Sequence, residues 1–391
     1  MAIVSPFYTS EPISKTVYNA GTDYCHYTIK RVTTMADDVP TATVDVYSST
    51  CYAPDAYDEV EFGAQLRSMI DSQISHIKTL QYRGSQNPAV YQGTNVFNSY
   101  FIIDDGGSDD TIYSVLYDTR GLTAIETGAK NSITGGPGEG YAANLFPDQY
   151  VTQGQYISVM YRNPSNYGQT ETHSFGCTYS LKNRNIPDPS TGYETIYNLT
   201  LDSSISGQSF RYAGPAKWEV WTGSQQNAGI AVWVRFWMEN SKGKKVYLTP
   251  KLYKKECDDP ETCYLYYVNS LGGIDFLRCK YERTTNTERS TYESNVDINS
   301  RFNFQEETYS QKRWNTWTLH TALMSDADSP NIADICTTRW AWLFDRNDTY
   351  APWRSVSVTD TSAKVKTKSN EGGKLFIYDI NVSENIKSKI V

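Results

Sequence analysis

Hydrophobic and polar residues alternate along most of this chain with the two-residue period of β-strands. Tyr27-Thr28-Ile29-Lys30-Arg31-Val32 and Thr43-Val44-Asp45-Val46-Tyr47 are short alternating runs separated by Asp-, Pro- and Ser-containing turns, and they predict an antiparallel sheet between Tyr24 and Glu61. The period then changes. Phe62, Leu66, Met69, Ile70, Ile74 and Ile77 recur at helical spacing on a polar background, which predicts an amphipathic helix that covers a sheet face or closes the domain.

From about Asn87 to Glu239 strand signals dominate, at Val96 to Ile103, Thr111 to Tyr117, Tyr150 to Arg162, Phe175 to Leu181 and Trp218 to Trp221. The loop Ser132 to Gly140 is rich in glycine, and Asn185 to Gly192 is stiffened by proline, so either is a candidate arm reaching a neighbour. Ile230 to Met238 is apolar on both alternating faces except for Arg235. It reads as a central strand of a second β-unit or as one wedged between subunits. Further on, Ser329-Pro330 is an N-cap followed by proline at the first helical position, and predicts a short helix through Ile332, Ile335 and Cys336. Strands return at Trp340 to Phe344, Ser355 to Thr359 and Lys374 to Val382.

This pattern predicts a mainly β chain of two or three antiparallel β-sandwich-like domains with a few short helices. The expected divisions are 1–86, a β domain with its closing helix; 87–240, a β-sandwich with long loops; and 241–391, a β domain with a short helix. At 391 residues the chain is long enough for several cores.

Composition narrows the function. With 31 Tyr and 9 Trp the apolar content leans toward amphipathic rings, which suit strands and protein interfaces alike. A net charge of −8 weighs against gripping nucleic acid by its phosphates. The N-terminal residues lack a basic region followed by an apolar core, and no window approaches the about 20 apolar residues of a membrane helix, so a chain made and kept soluble is expected, without membrane insertion. Seven scattered cysteines suggest free thiols in a reducing compartment.

Candidate chemistry is sparse. Asp104-Asp105-Gly106-Gly107-Ser108-Asp109-Asp110 has the oxygen ligands calcium takes, but Asp-Gly between two strand runs reads first as a hairpin turn. Cys257, Cys263 and Cys279 lack the short paired spacing of a zinc site. His26, His76, His173 and His320 lie far apart in sequence, and no nucleophile falls at a spacing that recommends a triad. No catalytic, cofactor-binding or metal residue is therefore nominated, and an enzyme is not expected. Lys242, Lys244, Lys245, Lys251, Lys254 and Lys255 form a basic patch answered at once by Glu256, Asp258, Asp259 and Glu261, either a solvated hairpin end or a charged seam between subunits. Tyr141 and Tyr193 in loops, Trp233 and Trp237 in the apolar strand, and Lys244 and Lys245 in the patch are the candidate subunit contacts.

Particular segments add a resemblance. Tyr264 to Thr285, YLYYVNSLGGIDFLRCKYERTT, is a strand-like run, a turn through Gly272-Gly273 and a second strand-like run. Arg339 to Asp360 carries a W-L-x-D and V-x-V-T-D pattern, and Lys374 to Lys387 supplies a final strand. Near the start stand Tyr27 to Ile29, a Tyr52-Ala53-Pro54 turn, and an acidic-hydrophobic strand leading into the helix at Phe62. Together these resemble tail-associated virion proteins of phages infecting Bacteroidetes, the crAss-like group. The resemblance covers the first eighty or so residues and the last third, and its motifs are strands and turns, so no catalytic or ligand residue carries over.

That resemblance implies a structural subunit of a homo-oligomeric tail ring or hub in the virion, assembled in the host cytoplasm. Its partners would be other copies of itself, neighbouring tail proteins, and phage DNA passing without specific binding. The alternative is a host-adsorption module that binds surface polysaccharide through exposed aromatic rings.

Overall fold

The computed structural model describes residues 3–8, 12–19, 21–36, 39–55, 57–75, 90–92, 98–107, 111–116, 150–152, 156–162, 173–182, 194–205, 210–217, 231–240, 243, 245–255, 260–269, 274–293, 306–325, 329–345, 347–348, 352–360, 375–384 and 388–390. Strands dominate these residues, as the alternating pattern predicts, and the fold is mainly β. Two compact units emerge, residues 1–258 with 268–276, and residues 259–267 with 277–391.

Strand pairing spans positions 86 and 240, where divisions were expected. Tyr24–Ala36 pairs with Asn98–Asp104, and Ala231–Asn240 pairs with Lys245–Tyr247, so sheet hydrogen bonds cross both positions. A strand ladder is cooperative, and a boundary through it would orphan backbone groups.

The first unit contains a five-stranded sheet in the order Ile3–Tyr8, Ile112–Leu116, Asn98–Asp104, Tyr24–Ala36 and Val39–Tyr52, with its first pairing parallel. Along Tyr24–Ala36 the odd-numbered Cys25, Tyr27 and Ile29 are buried, while Tyr24 and His26 on the alternate side are exposed, the period-two division of a half-buried sheet. The predicted helix is present as α1, Gly63–Ser75, with Leu66 and Ile70 buried one turn apart. Phe62, just before it, meets the Tyr27 ring edge-on at 4.9 Å and so anchors the helix to the sheet's inner face. His76 and Ile77 lie outside the described residues.

A second sheet runs Glu194–Ile205, His173–Lys182, Ala231–Asn240, Leu252–Lys255 and Tyr150–Thr152, with Lys245–Tyr247 also paired to Ala231–Asn240. The apolar stretch is thus, from Ala231 to Met238, a central strand bonded on both sides, which accounts for its hydrophobic residues on both faces, while Ile230 lies outside the described residues. Tyr156–Arg162, Phe210–Lys217 and Val90–Gln92 make a further three-stranded sheet. Trp218 to Trp221 lies outside the described residues.

Six strands, most of their residues in the second unit, form a closed barrel. Ile274–Glu293, Thr262–Val268, Ala341–Phe344, Trp353–Val358, Asp379–Glu384 and Glu306–Thr321 neighbour one another in that order, and the last pairs back to the first. Closure removes the sheet edges. Its interior is filled, because each strand sends alternate side chains inward: Cys263, Leu265 and Tyr267; Leu277 and Cys279; Leu343; Val356; Ile380 and Val382; Trp317 and Leu319. The predicted short helix is α2, Ser329–Thr337, which adds Ile332 and Ile335 to this core. Among the described residues the barrel interior is therefore packed with side chains.

Ile335 is fully buried and Ile377 is exposed, so the two serve as a matched pair. Ile335→Val should cost about 1 kcal/mol in urea unfolding, and Ile377→Val should stay within about 0.5 kcal/mol.

Candidate interaction surface

Side chains that pair across neighbouring strands line the outer face of the five-stranded sheet. Tyr24 stands opposite Tyr52, His26 opposite Thr50, and Thr28 opposite both Ser48 and Asp104. The Tyr24 and Tyr52 rings meet nearly edge-on at 5.7 Å. Thr50 Oγ1 lies 2.8 Å from His26 Nδ1, and Thr28 Oγ1 lies 3.0 Å from Ser48 Oγ. Around His26, Thr28, Ser48 and Thr50, beside the tyrosine pair, the surface forms a shallow open groove of about 560 Å³ that also reaches Asp104, Asp105 and Gly106.

The two aspartates at the end of this groove are matched by lysines. Lys30 Nζ donates to Asp104 Oδ2 at 2.5 Å, and that bond holds the Asp104 carboxyl below its ordinary range. Lys15 Nζ lies 3.1 Å from Asp105 Oδ1, with both side chains almost wholly buried, and donates to the Ile103 carbonyl at 2.6 Å. Burial works against a charged Asp105, but the Tyr18 backbone N–H at 2.7 Å and Lys15 outweigh it and leave its carboxyl below the usual range. The acidic run thus begins as a structural turn, with Gly106 at φ +77° where a side chain would be strained. Asp109 and Asp110 lie outside the described residues. Among the described residues no group of three or more His, Cys, Asp or Glu is placed to hold a metal ion.

Among the described residues two long strands lie at sheet edges, each regular over part of its length and slipping elsewhere. The pairing of Val39–Tyr52 with Tyr24–Ala36 slips at three places. Such bulges twist an edge away from further pairing. Glu194–Ile205 keeps register with its neighbour over seven consecutive pairs, from Lys182↔Glu194 to Gly176↔Thr200. It contains no Lys, Arg or Pro, and Ile196 is 62% exposed. Among the described residues no further strand pairs with its outer side, the arrangement that strand addition uses.

The nominated contacts separate on inspection. Trp233 and Trp237 are only 5% and 2% exposed. They are covered from their own chain, Lys251 Nζ lying 4.4 Å from the Trp233 ring centre and Lys245 Nζ 3.9 Å from that of Trp237, while Arg235 between them lies 3.9 Å over the Tyr247 ring. These cation–π contacts explain how apolar rings sit on the face opposite the core. What this face presents outward is its lysines, with Lys245 also paired to Glu239 at 3.4 Å. Tyr141, Tyr193 and Lys244 lie outside the described residues, as do the loops around Gly135 and Pro187, the turn at Gly272 and Gly273, and Cys257.

The remaining candidate groups are structural. Burial pushes the Cys25 thiol up to about 11 and holds those of Cys177 and Cys263 far above the ordinary value, which makes poor nucleophiles of all three. His320 Nδ1 lies 2.7 Å from Asp379 on the adjacent barrel strand, a cross-strand pair. Sequence reasoning missed the sheet edge and the polar groove. The alternation at Tyr24 to Thr28 was the available signal for the groove's face, but not for the strands that complete it.

Among the described residues no helix is long and apolar enough to cross a membrane. Compared with known proteins, the chain matches no family model, no curated protein and no solved structure. Among the described residues, fold and surface define a mainly β chain of two units, one built on a packed barrel and the other carrying a sheet edge that keeps register over seven consecutive pairs.

Proposed function

We propose that this chain is a structural subunit of a phage virion, one protomer of a homo-oligomeric tail ring or hub around the path of DNA ejection. The observation that carries the reading is the regular, uncharged stretch of the Glu194–Ile205 edge between its terminal Glu194 and Asp202. A monomeric protein blunts such an edge, whereas a subunit uses it to join its neighbour by main-chain hydrogen bonds. The wording of Tyr264 to Thr285 and of the C-terminal strands supports the virion assignment by resemblance. With the barrel interior filled, any conduit would be formed between protomers, and the net charge of −8 suits a wall along which DNA passes without being held.

Light scattering on the purified chain, followed by negative-stain imaging, should find a closed oligomer of defined size. Ile196→Lys with Thr200→Lys places two charges on the edge and should shift the chain to monomer while leaving its thermal unfolding midpoint in place. A wild-type chain that stays monomeric at high concentration, or an oligomer indifferent to both lysines, would remove the basis of the reading.

A further inference from the structure

We propose that the groove on the outer face of the five-stranded sheet binds a neutral glycan. This goes beyond the ring assignment and is independent of it, since it concerns a different sheet from the Glu194–Ile205 edge.

The argument begins with what lines the groove. Its side chains carry hydroxyls from Thr28, Ser48 and Thr50, the imidazole of His26, and the Asp104 carboxylate, an array of small donors and acceptors held in place by a rigid ladder. Each hydroxyl has one donor and two acceptor positions, so the Thr28–Ser48 and His26–Thr50 bonds leave capacity at every member. With His26 Nδ1 engaged by Thr50, Nε2 remains as the ring's second polar atom. Ligands of matching chemistry are themselves dense in hydroxyls.

Next to the hydroxyls stand Tyr24 and Tyr52, 56% and 65% exposed although paired with each other. An exposed aromatic pair beside a polar ladder offers an apolar face for C–H groups and a polar rim for O–H groups. Successive cross-strand pairs on one face repeat about every 6.8 Å, so the tyrosine pair and the Thr28–Ser48 pair are about 14 Å apart. That length accommodates a di- or trisaccharide lying along the strands.

Charge selects the neutral class. Lys30 bonds Asp104 and Lys15 bonds Asp105, so the groove offers no uncompensated cation to an acidic sugar and no uncompensated carboxylate to a basic peptide.

The test uses the full-length chain against immobilised maltohexaose, cellohexaose, mannohexaose and poly-N-acetyllactosamine, with acidic oligosaccharides and basic peptides alongside. The expected result is saturable binding of at least one neutral oligosaccharide that survives high salt. Tyr52→Ala and His26→Ala should each weaken it about tenfold or more, while Val44→Ser leaves it unchanged. Thermal unfolding of each variant distinguishes a lost contact from a lost fold, and Thr50→Val, which keeps the side chain's shape, supplies a second polar deletion should His26→Ala unfold. Failure of every neutral oligosaccharide to bind, binding that is indifferent to Tyr52, His26 and Thr50, or binding of acidic sugars or basic peptides alone would each overturn the proposal. Oligomeric state is not read by this experiment, so its failure would leave the ring assignment standing.

Discussion

Replacing Lys15 by Met should destabilise the protein by about 3–5 kcal/mol, because it leaves the Asp105 carboxylate buried without its countercharge. Lys15 and Asp105 side chains are 2% and 3% exposed and lie 3.1 Å apart. The carboxylate keeps the Tyr18 and Gly107 backbone N–H bonds, but these satisfy hydrogen bonding and do not cancel a full charge. The Ile103 carbonyl loses a donor at the same time. Asp105→Asn alone should also destabilise, since it strands the ammonium. The double variant should cost clearly less than the sum, and the shortfall in a double-mutant cycle measures the coupling.

The same pair predicts a pH dependence. Asp105 has its folded-state pKa held below the ordinary carboxylate value, so the protein binds its proton less readily folded than unfolded. Its contribution is therefore complete above about pH 4, the unfolded value, and disappears as pH falls through the lower folded value. In Lys15→Met the carboxylate would escape its buried charge by taking up a proton. The gap between wild type and variant should consequently be widest near neutrality and shrink in acid. Denaturant midpoints measured from pH 7 down to pH 3 would check this, and a gap that widened in acid would refute the assigned charge pair.

Gly176→Ala should cost at least about 3 kcal/mol, at the upper end for overpacking of a core position. A Cβ there would lie only 2.5 Å from Cζ2 of Trp237 and closer still to the Leu199 carbonyl oxygen. Neither can retreat cheaply: Leu199 is fixed by its ladder with Cys177, and the Trp237 ring lies between Gly176 and Lys245. The glycine is required here by space, since the Trp237 ring packs across the strand at this point. Gly176→Ala combined with Trp237→Leu should recover part of the loss in thermal unfolding, whereas Trp237→Leu alone should destabilise. No recovery would mean that the carbonyl clash dominates.

The alternating runs at Tyr27 to Val32 and Thr43 to Tyr47 were enough to read two paired strands, because one face of that sheet is buried and the period is two. The helix after Phe62 was legible for the corresponding reason, since Leu66 and Ile70 must share one face. Ile230 to Met238 declared a buried strand but not what buried it. Its tryptophans read equally as subunit contacts, and the lysines that cover them, Lys245 and Lys251, come from later in the chain. The salt bridge between Lys15 and Asp105 joins positions 90 apart in sequence, and no local pattern announces such a partner.

The C-terminal barrel marks the same division. Its strands were visible one at a time, but whether they form an open sandwich or close depends on Glu306–Thr321 pairing with Ile274–Glu293 on one side and Asp379–Glu384 on the other. Alternation within a strand encodes which face is buried and carries no information about the neighbour. From sequence alone followed a mainly β chain, its helices, and the absence of any motif for nucleophilic or metal chemistry. Tertiary structure decided where the units divide, which of the described strands lie at sheet edges, and that the tyrosine, histidine and hydroxyl groups of one face stand together. Such long-range pairings are selected by the whole folded chain, through the burial and hydrogen bonding they permit together.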